Sequence, residues 1–328
     1  MNNMILFTKN NIILLVGCLL VTLASFLFAL IYGGTASISL SDIFNTVLHR
    51  VPDMFQNRII KDIRLPLTIN TLLYGAAMGV AGVLLQRVTR FKAVCPSTLG
   101  LVPAGTLAIV ISLIFFDLQN EWVTSLIGIL GSAFGLYITY LVSLVIPIKV
   151  KGMRRLVGGL VTAGVLGMVL FIILINWRRD IPLLGELQNG LFRTASQLIP
   201  ICLICLCLAF FLSGQMSGSS NDDPKWLIAI CIVMAIVLTG TAITTLGNWA
   251  MAGLISSSIA RWLARREDYR IILPVAAMIG AVLVSVLNTL SYFIYPPFET
   301  QLYTVTGMIG LPLLAILIWK EAKESNTQ

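Results

Sequence analysis

Long apolar runs alternate along this chain with short polar or cationic stretches, and within a run the apolar residues are continuous rather than every second one. A bilayer core about 30 Å thick is crossed by roughly 20 helical residues. Backbone in lipid must satisfy its own hydrogen bonds, which leaves helices or a closed barrel. Continuous runs favour helices over the alternating strands of about ten residues that a barrel needs. The pattern predicts ten spans, at 11–32, 67–85, 101–116, 122–147, 156–175, 195–212, 226–246, 249–262, 271–294 and 302–319. The eighth is short and ends among arginines.

The first run follows a short basic start and precedes small residues, as a signal peptide would. At about 20 apolar residues it has the length of a span, and it is read as a retained helix. The extracytoplasmic segment, about 33–63, is more polar, and Ser41 or Asp42 is a plausible cap for a surface helix within it. Organisation centres on 64–105. There an Arg-Leu-Pro start leads into a small-residue-rich run, then Gln86, then Arg87, Arg90 and Lys92, then a Pro-containing loop that re-enters apolar sequence at Leu99-Gly100.

Composition agrees with the pattern. The chain is 58% hydrophobic and 11% charged, against roughly 25% charged in soluble domains. One integral membrane domain, 1–328, is expected, with membrane lipid as its solvent. A net charge of +8 would suggest nucleic acid in a soluble protein. Here fifteen of the 22 cations fall on one side of the predicted topology: Lys9, the three after Gln86, four at 149–155, Lys225, four at 261–270 and the last two lysines. The positive-inside rule assigns that side, and both termini, to the cytoplasm, so the charge calls for no nucleic acid. Five of the six cysteines sit in apolar runs and Cys95 in a cytoplasmic loop. Cys202, Cys205 and Cys207 read as packing. With a single histidine, His49, no metal or catalytic centre is indicated. The sequence contains no phosphate-cradling Gly-x-x-x-x-Gly-Lys-Ser/Thr run.

Arg64-Leu65-Pro66, Gly75-Ala76-Ala77, Gly82, Gln86, and Arg90 through Pro96 to Leu99-Gly100 resemble, in this order, motifs of the permease subunits of binding-protein-dependent ABC importers for iron–siderophores, haem and cobalamin, the FecCD/BtuC-like family. Leu156-Val157-Gly158-Gly159, Gly247 through Gly253-Leu254 to Arg261, Leu273-Pro274, and Glu299 with Thr306, Gly310 and Pro312 extend the likeness over about three-quarters of the chain. Departures are Leu67, Phe91-Lys92, Ser257-Ser258, Asn288, Tyr292, Gln301 and Tyr303, together with a missing Leu-Gly in 213–225.

The resemblance implies an all-α permease with ten transmembrane helices in the bacterial cytoplasmic (inner) membrane. It would be no enzyme itself and bind no cofactor. ATP-Mg would be held by two separate ATPase subunits, and a second permease, a different homologous chain, would complete the pathway. Arg64, helped by Arg58 and Lys61, would meet an extracytoplasmic substrate-binding protein. A cytoplasmic loop at about 213–225, with Ser213, Gly214, Ser217, Gly218, Asp222 and Asp223, would couple to the ATPase. Gly158, Gly159, Thr162 and Asn176 on the fifth span would line the pathway. Asn70 and Asn288 read as structural hydrogen-bonding groups. Iron–siderophore leads as cargo, with haem or cobalamin as the alternative. An ion-coupled secondary transporter is disfavoured because every acidic residue falls outside the apolar runs.

Overall fold

The computed structural model describes residues 9–32, 59–116, 120–148, 150–176, 198–216, 224–247, 251–264, 268–294 and 302–325. These form ten α-helices: α1 (Lys9–Tyr32), α2 (Leu65–Thr89), α3 (Leu101–Phe116), α4 (Glu121–Val145), α5 (Lys151–Asn176), α6 (Leu198–Ser213), α7 (Lys225–Leu246), α8 (Ala252–Ala264), α9 (Tyr269–Ile294) and α10 (Leu302–Ser325). A π-helical turn, Ile59–Arg64, runs directly into α2. Among the described residues, six helices are long and apolar enough to cross a membrane: α1, α2 with its leading turn, α4, α5, α7 and α9. Helices α3, α6 and α10 carry shorter apolar stretches. The 13 residues of α8 reach only about 20 Å at 1.5 Å per residue, so the eighth predicted span is a short helix packed within the bundle. The expected surface helix between 33 and 58 lies outside the described residues.

Local chemistry sets the helix ends. The Asn120 side chain accepts from Trp122 N at 3.0 Å and starts α4. Pro66 sits in the first turn of α2, where a missing N–H costs nothing. Arg90 closes α2 in the left-handed region at φ 57°, its N–H reaching Arg87 O. Gly247, at φ 73°, closes α7.

Helix α2 is the axis of the bundle. In its span 83% of the residues are buried, against 11% in α1 and 17% in α5. Lipid tails are as apolar as leucine, so hydrophobicity alone does not hold helices together here, and close van der Waals packing must. Small residues supply it. Gly75 faces Gly280, and Gly79 faces Ala276, which runs α9 antiparallel to α2 at backbone contact. Gly82 lies against Gly253 of α8. A second seam joins α3 to α4 through Gly105, Gly131 and Gly135, and Gly128 meets Gly240 where α4 crosses α7. The outer faces of α4 and α5, with Leu130, Phe134, Met168 and Phe171, are exposed apolar surface.

Candidate functional site: the hub at the end of α2

The last turn of α2 delivers two polar side chains into the interior. Gln86 and Arg87 are both buried. Gln86 uses both ends of its amide. Its Nε2 donates to Ser257 Oγ at 2.7 Å and to Lys92 O at 2.9 Å, while Oε1 accepts from Arg261 Nε at 2.9 Å. Arg261 and Arg87 both stand over the ring of Tyr269, at 5.6 and 4.2 Å from its centroid. A cation over an aromatic face is held by the ring quadrupole, more strongly when desolvated. One amide and one ring therefore clasp α2, the loop after it, α8 and the start of α9. These groups are spent on one another, which suits holding rather than reacting.

The loop 91–100 is buried although it is not helical, which a membrane protein tolerates only where the backbone finds partners inside protein. Leu99 N reaches Cys95 O and Leu101 N reaches Pro96 O, both at 3.1 Å. Cys95 N donates to Thr98 Oγ1 at 2.8 Å. From α4, Thr139 Oγ1 donates to Leu99 O at 2.7 Å and Ser132 Oγ to Leu101 O at 3.1 Å. Met251 N donates to Ser97 Oγ at 3.3 Å. Cys95, expected in an open loop, is fully buried, and burial pushes its thiol above the usual range.

The residues singled out from the sequence separate into three groups. Arg64 is buried at the start of α2. It is 3% exposed, and its Nη1 donates to Leu30 O and Ile31 O at 3.1 and 3.0 Å. The last carbonyls of α1 have no partner within their helix and sit at the negative end of its dipole, so a buried guanidinium is drawn there. Arg64 thus ties α1 to the start of α2, whereas Lys61, one turn earlier, is exposed. Arg58 lies outside the described residues.

Gly158, Gly159 and Thr162 are likewise turned inward. Gly158 packs on Ser143 of α4 and Gly159 on the backbone of Thr98 and Leu99, and Thr162 Oγ1 returns its proton to Gly158 O at 2.8 Å. They seat α5 on α4 and on the buried loop. The open face of α5 carries Gly164 and Gly167, neither of which has a neighbour among the described residues where a Cβ would stand. Asn176 is exposed, with Nδ2 donating to Ile172 O at 2.9 Å. Asn70 and Asn288 are both buried, and among the described residues Asn288 Oδ1 and Ser285 Oγ, one turn apart on α9, have no hydrogen-bond partner.

Of the residues expected to couple to the ATPase, Ser213 is buried with Oγ on Phe210 O, and Gly214 O accepts from Arg270 Nη2 at 3.3 Å. The end of α6 is thereby tied to the start of α9. Ser217, Gly218, Asp222 and Asp223 lie outside the described residues. Sequence reasoning assigned no role to Ser257 or Tyr269. Their only signal was position, Ser257 four residues before Arg261 and Tyr269 at the opening of the ninth span.

A bundle of apolar helices wound around one buried span, with a satisfied polar clasp at the end of that span, defines a multi-pass membrane protein of permease architecture. The chain belongs to the FecCD transport family, whose model matches residues 19–320. It is similar to the iron-uptake system permease protein FeuB of Bacillus subtilis (26% identical over 318 residues, 92% of this chain and 94% of FeuB). It is also similar to the iron(3+)-hydroxamate import system permease protein FhuB of the same organism (28% identical over 329 residues, 95% of this chain and 84% of FhuB). Among solved structures, an inward-facing metal-chelate type ABC transporter shares the fold with TM-score 0.71 at 20% identity, over 94% of this chain and 99% of that one.

Proposed function

We propose that this chain is the transmembrane permease subunit of a bacterial ABC importer for an iron–siderophore. The observation that carries the reading is the family match across 19–320, joined to a fold built on the buried α2. The similarity to FeuB and FhuB, whose names specify iron and iron-hydroxamate import, supports the cargo. In this reading the protein sits in the cytoplasmic (inner) membrane with both termini and the cation-rich loops in the cytoplasm. It pairs with a different, homologous permease. A substrate-binding protein docks outside, over the surface that includes Lys61. Two ATPase subunits bind ATP-Mg and dock on the 213–225 loop.

The packing supplies a route for force. A push on 213–225 reaches the end of α6, which Arg270 ties to α9. Helix α9 lies on α2 at glycine contacts, Gly75 on Gly280 and Gly79 on Ala276. These elements would move as a rigid body, and the pathway would open at the boundary with the second permease, where α5 presents Gly164 and Gly167.

The test is uptake in a strain lacking the chain. Loss of radio-iron uptake from one ferric siderophore, restored by a plasmid copy, supports the proposal. Intact ferric-siderophore uptake with loss of haem or cobalamin uptake transfers the cargo to that alternative, and no loss of any refutes the importer. Replacing 213–225 by a neutral linker should abolish co-purification of the ATPase subunits.

A further inference from the structure

A cavity of about 820 Å³ opens among the end of α2, the start of α5, and the flanks of α4 and α7. Three cations line it: Arg90 at the left-handed close of α2, Lys151 at the first position of α5, and Arg155 one turn further on. Among the described residues its lining contains no carboxylate, and Arg155 Nη1 donates to Val88 O at 3.5 Å. The positive end of the α5 dipole adds to the same field. Such a gathering of positive charge attracts an anion.

The rest of the cavity is apolar. Leu136 of α4 and Ile228 and Ile232 of α7 form its walls. Tyr137 and Tyr140, 58% and 55% exposed, stand at its rim. Half-exposed tyrosines at the end of a membrane helix mark the level of lipid headgroups. Beyond the rim, α7 presents Trp226 and Val233 outward, a surface suited to acyl chains. A small free anion would match the cations and leave the apolar walls unfilled. An amphiphile matches both.

We propose that this cavity is a site for an anionic phospholipid of the surrounding bilayer, with its phosphate among Arg90, Lys151 and Arg155 and an acyl chain along the α4–α7 groove. Basic pockets between membrane helices take acidic headgroups on these grounds. The site is distinct from the polar hub and from the open face of α5, and it stands or falls independently of the cargo.

The test uses the full chain purified in mild detergent and titrated with dioleoyl phosphatidylglycerol or dioleoyl phosphatidylcholine, with bound lipid counted by native mass spectrometry. The expected result is one retained phosphatidylglycerol per chain in preference to phosphatidylcholine. Removing two cations in K151Q/R155Q should weaken it roughly 30-fold, while K320Q, on exposed α10 surface, changes nothing. Equal retention of the two lipids, or unchanged retention by K151Q/R155Q, overturns the proposal. So does displacement of the lipid by millimolar glycerol 3-phosphate, which would make the site one for free phosphate esters. Should K151Q/R155Q fail to fold, photoreactive phosphatidylglycerol on the wild-type chain decides. Cross-links at Tyr137–Tyr140 or Ile228–Ile232 support the site, and cross-links confined elsewhere refute it.

Discussion

Substituting alanine for glycine at 82 and at 164 changes the same atoms in two opposite environments. Each gains about 0.8–1.0 kcal/mol of helix propensity. At 164 nothing stands within 4 Å of the new methyl group, so G164A should be stabilised by about that amount. At 82 the methyl would lie 2.6 Å from Gly253 O and 3.1 Å from Gly253 C. Non-bonded carbon–oxygen pairs prefer about 3.3–3.6 Å, so α8 must retreat by roughly 0.7–1.0 Å. The obstruction is backbone, which no rotamer change relieves. Overpacking of this kind costs about 1–3 kcal/mol. Because the propensity gain is common to both, G82A should be less stable than G164A by about 1–3 kcal/mol. Helical signal followed through a denaturing-detergent titration of the isolated chain would measure the difference. Equal stability of the two variants would refute packing on α2 as the source of the fold's cohesion.

Three further outcomes are expected. Q86L, similar in volume but without the amide, strands Arg261 Nε and Lys92 O and should cost about 2–4 kcal/mol; Q86E keeps an acceptor for Arg261 and should cost less, as the same titration would show. R64L should loosen α1, seen as faster proteolysis after residue 32, whereas K61E should leave stability within about 0.5 kcal/mol and weaken binding-protein capture in a salt-dependent way. Cys95 should resist alkylation in the folded chain and react once unfolded. Because its folded thiol titrates above the unfolded one, its contribution to stability is full below the unfolded thiol range and falls as pH rises through the folded value; stability that rises with pH in a Cys95-only variant would contradict that burial.

The number of helices, their order and their approximate ends were legible because lipid imposes one requirement on every segment. A run must be apolar, long enough, and internally hydrogen-bonded. The eighth segment reads as a span, and the structure makes it a 13-residue helix too short to cross. The motif residues Gly75, Gly82, Gln86 and Arg261 could be picked out along the chain, and the structure brings each to the α2 interface or its clasp.

What a side chain faces was not legible. Arg64 precedes an apolar run, as an interfacial or docking cation would, and only the arrival of α1's last carbonyls shows why it is buried. Gly158 and Gly164 look alike in the sequence, yet one meets Ser143 and the other meets nothing. Hydrophobic pattern reports what is compatible with lipid, and a helix that is apolar all round carries no stripe to tell its core side from its outer side. By itself the sequence determined that this chain lives in a membrane as a set of helices of a given count. Which helix became the axis, and which cations became clasps or cavity walls, was decided only when small residues let particular backbones touch.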